Sequence, residues 1–351
     1  MLYVETPGLR APTINRRDIG KLRLLLSRFR FPALEPVGDG IWRMSTPQLP
    51  YRRWQLVRLL NERFTLWRVR RAIRFLGWKR PLLWFTVPHV PFVLGKLDER
   101  LSVYYCVDDY SSLPGVNVDQ VRDMDQDLSR RADLIFAVSR RLQSAKLAMN
   151  ANVVYSPHGV DVEHFANQHG GVALPAKDLR HPVVGFFGVL DERFAIDTLC
   201  ELADSRPLWT ILIVGRVTVD VSQLTLRSNV VLTGPVSYET LPSWAKAFDV
   251  CIMPYKPGKF AEHCNPLKLR EYLATGKPVI STDLPELEDF APYLRLARTA
   301  SDFVAQIEHV LQADSASDQL TRQHAVAGTS WEARVEALIK HVEDHLTDRE
   351  L

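Results

Sequence analysis

From residue 181 onward, short apolar runs alternate with stretches of helical spacing. The runs are PVVGFFG at 182–188, WTILIVG at 209–215, VVLTG at 230–234, DVCIMP at 249–254 and PVISTD at 278–283. Runs this short, rich in β-branched residues and set apart by helical stretches, read as strands of a parallel sheet buried on both faces. The pattern predicts one Rossmann-like α/β domain over 182–329. The first half repeats the rhythm less cleanly, with LYVET at 2–6, PLLWFTVP at 81–88, LSVYYCVDD at 101–109, DLIFAVS at 133–139 and NVVYSP at 152–157. It predicts a second α/β domain over 1–170. Between them, 164–182 is rich in Gly, His and Pro and lacks periodicity, which marks 171–181 as a linker. At the end, Ser330 is placed to cap a helix with apolar residues at helical spacing, so 330–351 reads as a closing helix able to return to the N-terminal domain.

Composition fits this division. The 351 residues exceed what one core usually holds, and 46% apolar with 24% charged residues is ordinary globular usage. The four cysteines, Cys106, Cys200, Cys251 and Cys264, form no Cys-x-x-Cys pair, as expected in a reducing compartment. No run reaches the length of a membrane span, and the first residues lack the order of a signal peptide. A cytoplasmic protein is expected.

Charge changes the picture, because the net +3 hides an asymmetry. Residues 1–100 carry 20 Lys and Arg against 7 Asp and Glu, and the rest of the chain is acidic. Segment 51–80 interleaves Trp54, Trp67 and Trp78 with ten Arg and Lys. A basic helix with aromatic residues suits an anionic membrane surface, and the plainer reading is a helix packed on a sheet with its arginines solvated. Nucleic acid is not expected, since no nucleic-acid motif accompanies the charge.

The candidate chemistry concentrates in NPLKLREYLATGKPVIST, 265–282. Asn265 and Pro266 read as an N-cap and first-turn proline, and Gly276 as the C-terminal stop. The helix N-terminus would offer its amides and dipole to a diphosphate. Lys268 and Glu271, three residues apart, share one face. They suit a phosphate and a ribose diol, or else form an exposed intrahelical salt bridge.

The segment resembles the signature of bacterial GT-B glycosyltransferases of group 1 type, near the teichuronic-acid and exopolysaccharide glycosyltransferases. ADLIFAVSRRL at 132–142, PHGVDVEHF at 157–165, VGFFGVLDERFAID at 184–197 and NVVLTGPVSYETLPSWAKAFDVCIMPY at 229–255 occur in that family's order. The resemblance implies two Rossmann-like domains with parallel sheets facing across a cleft, and transfer of a hexose or hexuronic acid from a nucleotide sugar, UDP-linked, to a lipid-linked saccharide. It implies that Arg193, Lys268 and Lys256, with Leu267 at the helix start, hold the diphosphate. Glu271 would hold the ribose, Gly234, Pro235 and Val236 would meet the nucleobase, and Glu262, His263 and Asn265 would meet the donor sugar. His263 stands where the common pattern has a glutamate, and Val189 where it has an arginine. No cofactor or metal is implied, and the acceptor type places the protein on the inner face of the plasma membrane.

On the N-terminal side, strand exits are where open α/β sheets collect ligands. The loop 5–10, His89 and the pair Asp108 and Asp109 qualify. Either aspartate could act as general base or simply end its strand in a turn, and His89 could touch the donor sugar. Asp123, Asp125 and Asp127 alternate as in a calcium loop, but Leu128 and Leu134 replace its glycine and glutamate, so a solvated helix face is expected. Two other functions share the fold: a nucleotide-sugar 2-epimerase, and a non-catalytic membrane-surface protein on a transferase scaffold.

Overall fold

The computed structural model describes residues 1–5, 34–46, 55–113, 115–166, 171–258, 261–262 and 264–348. The chain forms two compact units, one of Met1–Val138, Leu142–Tyr155 and Val342–Leu351, the other of Ser139–Arg141 and Ser156–His341. The segment read as a linker packs into the second unit. Ala173 N–H donates to the Ser243 carbonyl at 3.0 Å, and Ala176 is buried.

The first unit contains two sheets. Strands β1 (Leu2–Glu5), β2 (Leu34–Gly38) and β3 (Ile41–Ser45) form a small sheet in the order β1-β3-β2, with β2 antiparallel. This hairpin is absent from the strand pattern read above. Its signal is Gly38-Asp39-Gly40, three consecutive residues at φ of 125°, 46° and 72°. Helix α1 (Gln55–Phe75) follows, then a parallel sheet of β4 (Leu82–Phe85), β5 (Leu101–Cys106), β6 (Leu134–Ala137) and β7 (Val153–Tyr155), in chain order. Helices α2 (Val118–Arg131) and α3 (Arg140–Leu147) connect its later strands. Asp123, Asp125 and Asp127 lie on α2, and Asp125 accepts from Tyr104 Oη at 2.7 Å and pairs with the buried Lys146. That is an internal ion pair under a sheet, not a calcium loop.

The second unit begins with α4 (Val162–Ala166) and holds one six-stranded parallel sheet. Its strands are β8 (Val183–Phe187), β9 (Thr210–Val214), β10 (Val230–Leu232), β11 (Val250–Met253), β12 (Val279–Ser281) and β13 (Arg295–Leu296), in the spatial order β10-β9-β8-β11-β12-β13. Strands β8, β9 and β11 are buried at every position, which explains their unbroken apolar runs. Helices α5 (Ile196–Ser205), α6 (Ser222–Thr225), α7 (Leu241–Ala245), α8 (Leu267–Thr275), α9 (Ala300–Ala313) and α10 (Ala316–Val326) complete it. Helix α11 (Trp331–Asp348) is capped by Ser330, whose Oγ accepts from Ala333 N–H at 3.2 Å, and its last residues belong to the first unit.

The strand order reverses between β8 and β11. In open parallel sheets ligands bind outside the carboxyl ends of the strands at that reversal, and α8, which follows β11, starts there.

Candidate functional site

Helix α8 is fixed to the carboxyl end of β8 by Tyr272. This fully buried side chain accepts a hydrogen bond from Phe187 N–H at 3.0 Å, and its ring meets that of Phe187 edge-on at 4.6 Å. One turn earlier on the same helix, Lys268 is therefore delivered to the residue after β8, Gly188. A Cβ on Gly188 would lie 2.1 Å from Lys268 Cε, and Gly188 has φ 134°. Only glycine leaves that channel open.

Gly188 is one of three linked glycines. Gly188 N–H donates to the Val214 carbonyl at 2.8 Å, and Gly215 N–H donates to the Gly234 carbonyl at 3.0 Å. A Cβ on Gly215 would lie 2.1 Å from the Gly188 oxygen, and both Gly215 and Gly234 have positive φ. Each of the three adjacent strands β8, β9 and β10 thus leads into a glycine, and the one after β8 lies against Lys268 of α8. The repeated endings FFG, IVG and LTG carried that signal, and Gly215 was missed by the sequence reading.

Lys268 is half-buried, with Nζ over the rings of Phe186 and Phe194 at 5.6 and 6.0 Å. Burial pushes its ammonium below the ordinary value; Glu271 opposes this and Arg193 adds to it. Glu271 is 9% exposed, which excludes the exposed salt bridge, and among the described ion pairs none joins it to Lys268. Burial pushes the Glu271 carboxyl up to about 7, with Lys268 working the other way.

Arg193 lies in the loop after β8, whose backbone pairs with that after β11: Lys256 N–H donates to the Arg193 carbonyl at 2.8 Å. Its guanidinium grips Asp191, with Nε 2.7 Å from Oδ1 and Nη2 2.5 Å from Oδ2. Burial opposes the Arg193 charge, but the hydrogen bonds and charge of Asp191 outweigh it and raise the pKa. Asp191 was not singled out from the sequence. Lys256 itself is exposed.

The N-terminus of α8 departs from the expected cap. The helix starts at Leu267, Pro266 occupies the cap position at φ −74° and ψ 108°, and no side chain caps it. Asn265 is diverted below the helix, where its Oδ1 accepts from Arg270 Nη1 at 2.5 Å and its Nδ2 donates to Glu286 at 3.4 Å. A buried guanidinium needs such an acceptor more than the helix needs a cap. His158, beside Arg270, is held neutral by burial, its pKa lowered to about 4. Glu262 is exposed and paired with Arg141, and His263 lies outside the described residues.

Gly234, Pro235 and Val236 lead from β10 into a turn bearing Tyr238. This ring is 45% exposed and stacks on His164 at 4.5 Å with a 13° interplanar angle. Burial pushes the Tyr238 phenol up to about 12, and the charges of Glu271 and Asp161 contribute. Tyr238, stacked on His164, is another residue the sequence reading missed.

In the first unit, His89 is buried after β4. Asp109 is committed to a turn, its Oδ1 accepting from Ser111 N–H at 3.1 Å and Ser111 Oγ at 2.7 Å. Asp108 precedes it, half-buried. Residues 6–10 of the N-terminal glycine loop lie outside the described residues.

Residues 181–313 match the family model for glycosyl transferases group 1. A protein of Bacillus subtilis strain 168, assigned as the teichuronic acid biosynthesis glycosyltransferase TuaH, is 30% identical over 254 residues. That match spans 66% of this chain and 64% of the relative's length. Among solved structures, sucrose-phosphate synthase of Thermosynechococcus elongatus superposes with a TM-score of 0.69 at 14% identity, covering 99% of both chains. Anabaena HepE in complex with UDP and glucose gives 0.66 at 13% identity over 97% of this chain and 98% of its own. The fold is the two-domain α/β GT-B fold.

Proposed function

We propose that this chain, whose residues 181–313 match the family model for glycosyl transferases group 1, transfers a hexose or hexuronic acid from a UDP-linked donor to a lipid-linked glycan acceptor. The observation that carries this reading is Lys268. Its ammonium is threaded past Gly188 at the strand-order reversal, one turn from the buried Glu271. A diphosphate at this point meets uncapped helix amides, the positive end of the dipole, Lys268 and Arg193. Those groups stabilise the negative charge that grows on the departing phosphate, which is where binding energy accelerates transfer. The Glu271 carboxylate accepts both ribose hydroxyls, and the base lies against Gly234, Pro235 and Val236. Asp108, just past the end of β5, is assigned the acceptor's proton. Neutralisation is assigned to side chains and helix dipole rather than to a metal.

The teichuronic acid assignment of the 30% identical relative, and the UDP bound to HepE, support a UDP-linked donor and a cell-surface glycan. For the lipid-linked acceptor, the support is α1. Leu56, Leu60, Trp67 and Phe75 are exposed on it together with Arg63, Arg70, Arg71 and Arg74. Exposed leucines and tryptophan among arginines suit the headgroup region of an anionic leaflet. No helix among the described residues is long and apolar enough to cross a membrane, so attachment at the surface is the proposed mode. Trp54 lies outside the described residues.

The test is a thermal-stabilisation screen of UDP- and GDP-sugars, followed by product analysis with lipid-linked acceptors. Stabilisation by UDP-sugars and a glycosylated lipid product are expected. A C2-epimerised free nucleotide sugar as the only product would replace transfer by epimerisation, and no nucleotide binding would leave a membrane-surface protein.

A further inference from the structure

Resting on the reading of this site as a nucleotide-diphosphate site, we propose that Asp191 is its positioning residue. It aims the Arg193 guanidinium at the diphosphate without touching the ligand. The two side chains share a fork. Asp191 Oδ1 accepts from Arg193 Nε at 2.7 Å and from Arg193 N–H at 3.1 Å, while Oδ2 accepts from Nη2 at 2.5 Å. The carboxylate is the deeper partner, its side chain 14% exposed against 32% for the arginine.

The loop beneath the pair is already fixed. Phe194 N–H donates to the Asp191 carbonyl at 3.1 Å, the Phe194 ring meets Tyr255 at 4.5 Å, and Leu190 N–H donates to the Arg216 carbonyl at 2.9 Å. What remains mobile in such a loop is the long arginine side chain, whose ordering is a large entropic cost of using it. The fork removes that cost before the ligand arrives. A partly exposed ion pair adds little to stability, so stability alone is a weak reason for it.

A carboxylate beside a diphosphate also carries a penalty. Asp191 cancels one positive charge of a site built for an anion, and its field reaches Lys268 as well. The arrangement is useful only if the aim given to Arg193 outweighs the repulsion. That balance gives the role a signature, because the two contributions separate when Arg193 is removed.

The experiment is a double-mutant cycle on UDP affinity, measured by calorimetry at low salt with the full chain. Asp191→Asn keeps the shape and loses the charge. With Arg193 present, it is expected to weaken UDP binding about 5- to 30-fold, because the guanidinium loses its fork. In an Arg193→Ala background, it is expected to tighten UDP binding about 2- to 10-fold, because only repulsion remains to be lost. Asp191→Glu keeps the charge but shifts the fork, and it should weaken binding with Arg193 present. Weakening by Asp191→Asn in both backgrounds would mean a structural role, and tightening in both would mean a bare counter-charge. Either result, or changes below twofold throughout, overturns the proposal. If the unmodified chain binds no UDP, the nucleotide reading fails first and the proposal falls with it, before any variant is made.

Discussion

Lys268 occupies space that exists because residue 188 has no side chain: a Cβ there would stand 2.1 Å from Lys268 Cε. Gly188→Ala therefore meets two penalties, a backbone at φ 134° and a displaced lysine. The clash falls on a flexible side chain, so the fold should survive while the ammonium moves. The expected outcome is a folded protein with UDP affinity lowered about 10-fold or more. Calorimetry beside a thermal melt checks it, and unchanged affinity would show that the lysine's path does not matter.

On the proposed reading, truncating the lysine itself removes leaving-group stabilisation. Lys268→Ala is expected to lower kcat/KM about 10- to 1000-fold. A loss in kcat as large as that in kcat/KM would mark an interaction made mainly in the transition state. A change below about twofold would mean that the diphosphate lies elsewhere.

Glu271 should give the proposed site a pH dependence near neutrality. Its carboxyl is pushed up to about 7 in the folded chain, so it is half-protonated there. A ribose diol donates two hydrogen bonds, which the ionised form accepts best. Nucleotide affinity should fall as pH drops below about 7, and Glu271→Gln should bind weakly with that dependence removed. For stability the sign is the reverse of a salt-bridged carboxylate. The folded state holds the proton more tightly than the unfolded chain, so this group's contribution is full at low pH. It is lost as pH rises through about 7. A pH series of UDP titrations on both proteins decides the first point. Melts of Glu271→Gln against the unmodified chain decide the second.

The α1 surface makes a separate prediction. The protein should float with phosphatidylglycerol vesicles at low salt and stay behind with neutral ones. Replacing Arg63, Arg70 and Arg71 by Gln should abolish the difference, as should high salt. Equal partition onto neutral and anionic vesicles would sink docking on an anionic leaflet, and flotation with neither would remove the membrane from the proposed function.

All strands of both parallel sheets except β13, whose two residues are exposed, were legible as apolar runs, because burial on two faces leaves few polar positions, as in TILIV of β9. The β2–β3 hairpin was not, since its strands are mostly half-buried or exposed and only the Gly-Asp-Gly turn announces them. In the proposed site, helical spacing put Lys268 and Glu271 on one face, and the family resemblance gave them their roles. Asp191 and Tyr238 were not legible, because what singles out each is a partner brought by folding: Arg193 in one case, His164 in the other. Asn265 shows the limit of local rules. Its sequence position suits a cap, and the buried Arg270 claims it instead.

At the far end of α8, Gly276 sits at φ 77°, and its carbonyl accepts from Arg322 Nε at 2.8 Å. Arg322 is in turn gripped by both oxygens of Asp314, each at 2.7 Å. The helix is thus tethered to α10 behind it as well as to β8 in front, and it behaves as a beam supported at both ends. A change at Arg322, remote from any phosphate, would let that beam tilt, and its first effect would be felt as lost aim at Lys268.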